Sequence, residues 1–380
     1  MTRSPSNNIN FLSVESILIG KQILTNQTIT FKDSCIESVV NCTDKSQPLL
    51  SGILVPGFID IQVNGGGGCL FNQAPDLDSI KVIAKAHQRY GTTGWLPTLI
   101  TDSFDKMKCA ANAVAKARRN KILGVLGIHF EGPHLSVAKK GVHLEKYIRE
   151  IGDVERDIFM RKDLGKVVVT VAPENIALSV IRELVAAGVI VCLGHSNASF
   201  EQTQQALDAG AAGFTHLFNA MSQFNSREPG MVGAALLNRQ SYYGMILDGI
   251  HVHPDSVKLA LKMNSNMMLV TDAMPTVGSE KNHFDFFEQT IQKNDSTLRD
   301  MHGKLAGSNL NMALAFRNCL DKLNFDHAKA SRVTSLNAAK FIGLDTQYGS
   351  LSVAKKANMV LLNNKNEVVS CWINGRKVFA

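Results

Sequence analysis

Three short apolar runs of this chain each end in a side chain able to bind a metal. Glu131 closes LGVLGIHFE, His195 closes VIVCLGH and His216 closes GFTH. One carboxylate and two imidazoles suit a single divalent transition metal with a coordination position left open for water. A fourth run, MMLVTD, ends in Asp272, an acid after a buried strand that fits the proton carrier beside that water. A lone histidine at a strand end is more often structural. Here the pattern repeats one unit later, and the repetition favours ligands. For Glu131 the competing reading is a helix cap or surface carboxylate, and for Asp272 a structural ion pair.

Such residues need a scaffold that brings several strand ends to one place. Eight apolar runs fill the middle of the chain: ILVPGFIDIQ, TGWLPTLI, LGVLGIHFE, KVVVTVAPE, VIVCLGH, AGFTHLF, YYGMILD and MMLVTD. Helical patterns separate most of them, as in SIKVIAKAHQRYG, SVIRELVAAG and FEQTQQALDAG. The last two end in glycine, a helix-stop signal. This alternation predicts an α/β protein with a (β/α)8 TIM-like barrel, whose chemistry lies at the C-terminal strand ends. The open doubly wound sheet is the rival. Both chain ends are rich in short β-branched segments, such as ESILIG, QTITF and ANMVLLN. They predict a second, small β-sandwich domain made of residues 1–54 and 349–380, with the barrel at 55–348.

The first strand bears on metal count. Many barrel hydrolases end it in His-x-His, whereas this chain has Gln62-Val63-Asn64. Amides are poor ligands for zinc-class metals, so one ion is expected rather than two, and Gln62 is placed to hydrogen-bond the activated water. The Gly65–Gly68 run lacks the GK[ST] of a nucleotide loop and reads as a flexible loop near the site. His87, His129, His134 and His327 read as structural. Polar loops after the strands suit a sugar phosphate: His143 in KKGVH, Asn219 and the Ala220 backbone in HLFNAM, Arg227 in SREPG and His251 in DGIHVHP. A guanidinium binds phosphate through two parallel hydrogen bonds.

Composition narrows the class. The net charge of +7 would favour an anionic substrate. The densest basic cluster, AKARRNK at 115–121, reads as an exposed helix end, and no nucleic-acid motif accompanies it. The seven cysteines are scattered without a C-x-x-C pair, which argues against a disulfide framework or a zinc knuckle. No apolar run reaches the roughly 20 residues of a membrane helix. The polar opening MTRSPSNNINFLSVES lacks the apolar core of a signal peptide, so a cytoplasmic location is expected.

Taken together, PGFIDIQVNG, HFEGPHL, KKGVH, LGHSNA, THLFNAM, REPG, DGIHV, LVTDA and LAGSNLNM resemble, in order, the N-acetylglucosamine-6-phosphate deacetylases of the amidohydrolase superfamily. The resemblance spans about residues 54–312. It implies that Glu131, His195 and His216 hold one divalent ion, zinc first and iron, manganese or cobalt as alternatives. Asp272 would be base and then acid, and His143 would polarise the acetamide carbonyl. Gln62, Asn64, Asn219, Ala220, Arg227, His251, Leu305, Ala306 and Gly307 would hold the sugar phosphate. A homodimer with a phosphate site shared between subunits is also implied. Segment 282–303 departs from the pattern and is expected to alter a lid or the acceptance of a related sugar. The alternatives are the galactosamine epimer, a cyclic-amide hydrolase and a non-catalytic barrel scaffold. Gln62-x-Asn64 speaks against the cyclic-amide hydrolase, and the intact ligand set against the scaffold.

Overall fold

The structure, a computed structural model, describes residues 10–43, 48–287 and 289–380. The opening segment 1–9 lies outside the described residues.

Eight parallel strands form the centre: β1 (Phe58–Val63), β2 (Thr92–Ile100), β3 (Gly127–Glu131), β4 (Lys166–Val171), β5 (Ile190–Leu193), β6 (Gly213–Phe214), β7 (Tyr242–Met245) and β8 (Met267–Leu269). Each pairs with the next in chain order. They are buried along nearly their whole length, as parallel strands covered by helices must be. The expected βα alternation is present. The helix Leu178–Ala186 buries Ile181 and Leu184 against the barrel, and burial of each such side chain stabilises by about 1.5–3 kcal/mol. Gly188 and Gly210 follow their helices with φ of +86° and +110°. Ser199, in the segment after His195, caps the helix Phe200–Asp208 and forms a capping box with Gln202.

The ring closes where β1 meets the chain beyond β8. Val63 bridges to Ala273, and the Asp272 N–H donates to the Gln62 carbonyl at 3.0 Å. Asp60 locks this seam from inside. Its carboxylate accepts from the Thr271 hydroxyl at 2.5 Å and from the Thr271 and Gln62 N–H groups at 3.2 Å each.

The chain ends supply a second sheet of seven strands in one hydrogen-bonded order. Arg376–Phe379, Val368–Ile373 and Met359–Leu362 from the C-terminal side join Leu50–Pro56, which continues into Asn10–Ile19, Gln22–Lys32 and Cys35–Asn41. The run read as one strand, ILVPGFIDIQ, is therefore two. Leu50–Pro56 belongs to the terminal sheet and Phe58–Val63 to the barrel, with Gly57 between them. Segment 282–303 holds a three-stranded antiparallel sheet, His283–Phe286, Gln289–Asn294 and Thr297–Arg299. The Gly65–Gly68 run is not a flexible loop. Gly65 and Gly66 are buried and pair with Cys69–Leu70, while Gly67 and Gly68 donate to the Val277 and Pro275 carbonyls.

Burial pushes the Asp60 carboxyl up to about 7, although the Thr271 and Gln62 hydrogen bonds oppose the shift. A raised native pKa means that the fold holds the proton after the unfolded chain has released it. This contribution to stability is therefore full below about pH 4 and is lost as pH rises through about 7. Asp60→Asn removes the titration. In thermal melts of metal-free protein, the variant is expected to gain on wild type steadily between pH 4 and 8. A difference independent of pH would show that Asp60 does not titrate in this window.

Candidate metal centre and active site

Glu131 is the last residue of β3, and His195 and His216 stand two residues beyond β5 and β6. Asp272 stands three beyond β8. His195, His216 and Asp272 have φ of +48°, +31° and +51°. A non-glycine residue in this region costs on the order of 1–3 kcal/mol. The seam and the loop contacts impose the conformation, which turns each side chain over the barrel mouth. After Glu131, Gly132 adopts φ +86°, and a Cβ there would lie 2.2 Å from Thr101 Oγ1. Glycine is thus required where the β3 loop leaves the site.

The three expected ligands converge. Glu131 Oε1 lies 3.2 Å from His195 Nε2 and 3.0 Å from His216 Nε2, and the two Nε2 atoms are 3.0 Å apart. Ligand atoms about 2.0–2.1 Å from one tetrahedral ion stand about 3.3 Å from each other, so the triangle fits a single zinc-class ion. All three side chains are buried, and they form the one such metal-ligating group among the described residues. The Lys139 carbonyl sets the tautomer of His195. It can only accept, so His195 donates from Nδ1 at 2.9 Å and its Nε2 lone pair faces the triangle. Burial alone would raise the Glu131 pKa, but the adjacent His195 and His216 imidazoles outweigh it and hold the carboxyl well below its ordinary range.

Gln62 and Asn64 organise the acids. The Gln62 amide donates to Glu131 Oε1 at 3.0 Å and to Asp272 Oδ1 at 3.2 Å, and Asn64 Nδ2 donates to the same Asp272 oxygen at 2.6 Å. These two residues occupy the place of a second metal's ligands and instead hold Asp272 through hydrogen bonds. Burial, followed by the nearby Glu131 charge, pushes Asp272 up to about 6. It is therefore largely ionised at neutral pH, close to the pKa that suits a general base.

His143 packs beside His195 with ring centroids 4.3 Å apart, and burial holds its pKa well below the ordinary histidine value. The ring is neutral. Its Nδ1 lies 2.8 Å from Thr101 Oγ1, while that hydroxyl also reaches the Glu131 carbonyl at 3.2 Å. A carbonyl can only accept, so the hydroxyl proton goes to the Glu131 carbonyl.

A cavity of about 350 Å³ opens over these groups. Asn64, Glu131, His143, His195, His216 and Asp272 line it, as do Asn219, Ala220, His251, Leu305 and Gly307. His251 donates Nδ1–H to Asp248 Oδ2 at 2.6 Å. Ala306 is buried but faces the other way, into the small sheet. Arg227 is exposed and does not line the cavity. The small sheet packs Phe284, Phe286, Ile291 and Leu298 against Ile100 and Met274, two apolar residues of the cavity wall. His87, His129 and His134 are structural as expected. They bond to the Gly65 carbonyl, the Ile61 carbonyl with Thr170, and the Arg149 carbonyl. Asp60, Thr101, Lys139 and Asp248 escaped the sequence reading. Of these, only Asp248 left a signal, the Asp-x-x-His spacing that pairs it with His251.

The fold and the site together define a class, and the sequence agrees: the Amidohydrolase family profile matches residues 53–378, and the chain belongs to that family. Among individual proteins, it is 47% identical over 333 residues to an N-acetylgalactosamine-6-phosphate deacetylase of Shewanella sp. (strain ANA-3), covering 87% of this chain and 84% of the relative. It is 32% identical over 363 residues to an N-acetylglucosamine-6-phosphate deacetylase of Haemophilus influenzae, covering 93% and 95%. The solved N-acetylglucosamine-6-phosphate deacetylase of Pasteurella multocida superposes with a TM-score of 0.93 at 32% identity, over 97% of this chain and 99% of that one. The Mycobacterium smegmatis deacetylase in complex with N-acetyl-D-glucosamine-6-phosphate gives 0.90 at 27%, over 98% and 100%.

Purified protein is expected to carry about one divalent ion per chain. His195→Ala and His216→Ala should each lose it, as measured by elemental analysis. Two ions per chain in wild type would overturn the single-ion reading.

Proposed function

We propose that this protein hydrolyses the acetamide of N-acetyl-D-glucosamine 6-phosphate to D-glucosamine 6-phosphate and acetate, within amino-sugar catabolism. The observation that carries the reading is the Glu131–His195–His216 triangle with Asp272 held beside it by Gln62 and Asn64. When bound, a divalent ion at the triangle, zinc by preference for one carboxylate and two imidazoles, acidifies water and polarises a carbonyl. Asp272 takes the proton of the attacking water. His143 is assigned to the developing oxyanion. Asp272 then returns the proton to the departing amine, which makes a poor leaving group viable.

Asn219, Ala220, His251 and the backbone at Leu305–Gly307 are assigned to the sugar phosphate, with Asp248 orienting His251. Arg227 is assigned to the same phosphate from a second copy of the chain, because it is exposed and outside its own cavity. This makes a homodimer part of the proposal. The buried free thiols of Cys192, Cys319 and Cys371 support a cytoplasmic setting. No helix among the described residues is long and apolar enough to cross a membrane.

The galactosamine epimer is the second reading, favoured by the 47% identity to the Shewanella deacetylase. The two sugars differ only in the configuration of one hydroxyl and share the chemistry above. Acetate release from both 6-phosphates, with and without a chelator, tests both readings at once. Chelator-sensitive turnover of the glucosamine substrate is expected. A large preference for the galactosamine substrate would move the assignment to that epimer, and turnover of neither would end both.

Asp272→Asn keeps the shape of the side chain and removes the base. It should retain the metal and bind substrate, with kcat reduced about a hundredfold or more. Near-normal turnover would remove Asp272 from the proton transfer.

A further inference from the structure

The opposite end of the barrel holds a second concave surface. Its larger part has a volume of about 490 Å³, more than the catalytic cavity, and lies at the strand starts, where Leu126, Lys166 and Val189 enter β3, β4 and β5. A smaller cavity of about 240 Å³ adjoins it and shares Arg118, Val125, Leu126 and Tyr348. The two are lined by five cations, Arg118, Lys121, Arg161, Lys162 and Lys166, and by no Asp or Glu among the described residues. Arg118 and Lys121 belong to the basic run 115–121, which the catalytic chemistry leaves unused.

Only part of this charge is neutralised. Arg161 pairs with Asp163 and bonds Asn112, Arg118 Nη1 donates to the Leu126 carbonyl at 3.1 Å, and Lys162 donates to the Ala187 carbonyl at 2.7 Å. Carbonyls orient a cation without cancelling its charge. Lys121 and Lys166 have no ion-pair partner among the described residues. Like charges gathered around two adjoining hollows, with Arg118 common to both, repel each other and raise a positive potential in the space they line.

We propose that this basin binds a small anion carrying a diphosphate group. Its volume falls in the range of about 300–1,000 Å³ usual for small-molecule sites. Arg161 is occupied by both oxygens of Asp163, which leaves Arg118, held by the Leu126 carbonyl through Nη1, and the lysines to match phosphate oxygens. The concave form, with no row of exposed aromatic rings for stacking bases, favours a compact ligand over a nucleic-acid strand. The six residues of β4 separate the basin from the catalytic face by roughly 20 Å, so the site does not depend on which sugar the enzyme takes.

Calorimetric titration of the full-length protein with pyrophosphate and with adenosine diphosphate tests this. One-to-one binding that weakens with added salt is expected. The Lys121→Glu/Lys166→Glu variant should bind at least about tenfold more weakly while its deacetylation rate stays unchanged. Lys121→Ala/Lys166→Ala, a milder change, should lie between the two and guards against loss of folding. Equal affinity for both probes assigns recognition to the diphosphate, and tighter adenosine diphosphate extends it to the nucleoside. Absence of binding to wild type, undiminished binding to both variants, or tighter binding of a single-stranded oligonucleotide would overturn the proposal.

Discussion

Three ligand atoms within 3.2 Å of one another, all buried, set the terms for the rest of this structure. A carboxylate oxygen and two imidazole nitrogens at that spacing turn lone pairs toward one another, and only a shared proton or a cation reconciles them. Burial sharpens the conflict, because water is not there to screen it. The surrounding contacts act to prevent the triangle from relaxing apart. The Lys139 carbonyl fixes the His195 ring, Gln62 anchors Glu131, and two of the three ligands sit on strained backbone. The protein's own contacts therefore hold the three side chains in this arrangement, which limits the ordering that would oppose ion binding.

The same logic extends to the seam. Asp60 spans from β1 to Thr271, one residue before Asp272, so the bonds that close the ring also aim the acid. Gln62 and Asn64 complete the arrangement from the same side of the seam as Asp60. Closure of the barrel and placement of Asp272 are thus one structural event, made by a handful of hydrogen bonds between segments about 210 residues apart in sequence.

What the sequence discloses follows from how local each feature is. The convergence of Glu131, His195, His216 and Asp272 was legible because each ends an apolar run, and a run ending in a polar group is a signal within ten residues. The eightfold count and the β-rich ends were legible for the same reason. The partners that tune the site were not. Thr101 touches His143 across 42 residues and Lys139 touches His195 across 56, and nothing in the neighbourhood of either marks the meeting. Asp60 was hidden inside a strand whose apolar pattern it interrupts once. The glycine run misled because glycine permits flexibility and equally permits close burial, and only the Ala273, Pro275 and Val277 carbonyls decide between them. Arg227 lies on the surface, where a single chain gives it no partner in the cavity.

The strand Leu50–Pro56 has one further consequence. Its neighbour on one side, Asn10–Ile19, precedes it in the chain, but its neighbour on the other, Met359–Leu362, lies about 300 residues later. During synthesis, at roughly 5–20 residues per second, that edge leaves the ribosome unpaired and stays open until Met359–Leu362 has emerged. An open edge is a template for another strand. Here it is joined through Gly57 to the first barrel strand, so a nascent chain that paired wrongly at this edge would carry Gln62 and Asn64 into the error. That edge is sealed only after all eight barrel strands have been made, and the interval before sealing is when this protein is most exposed to misassembly with its own copies.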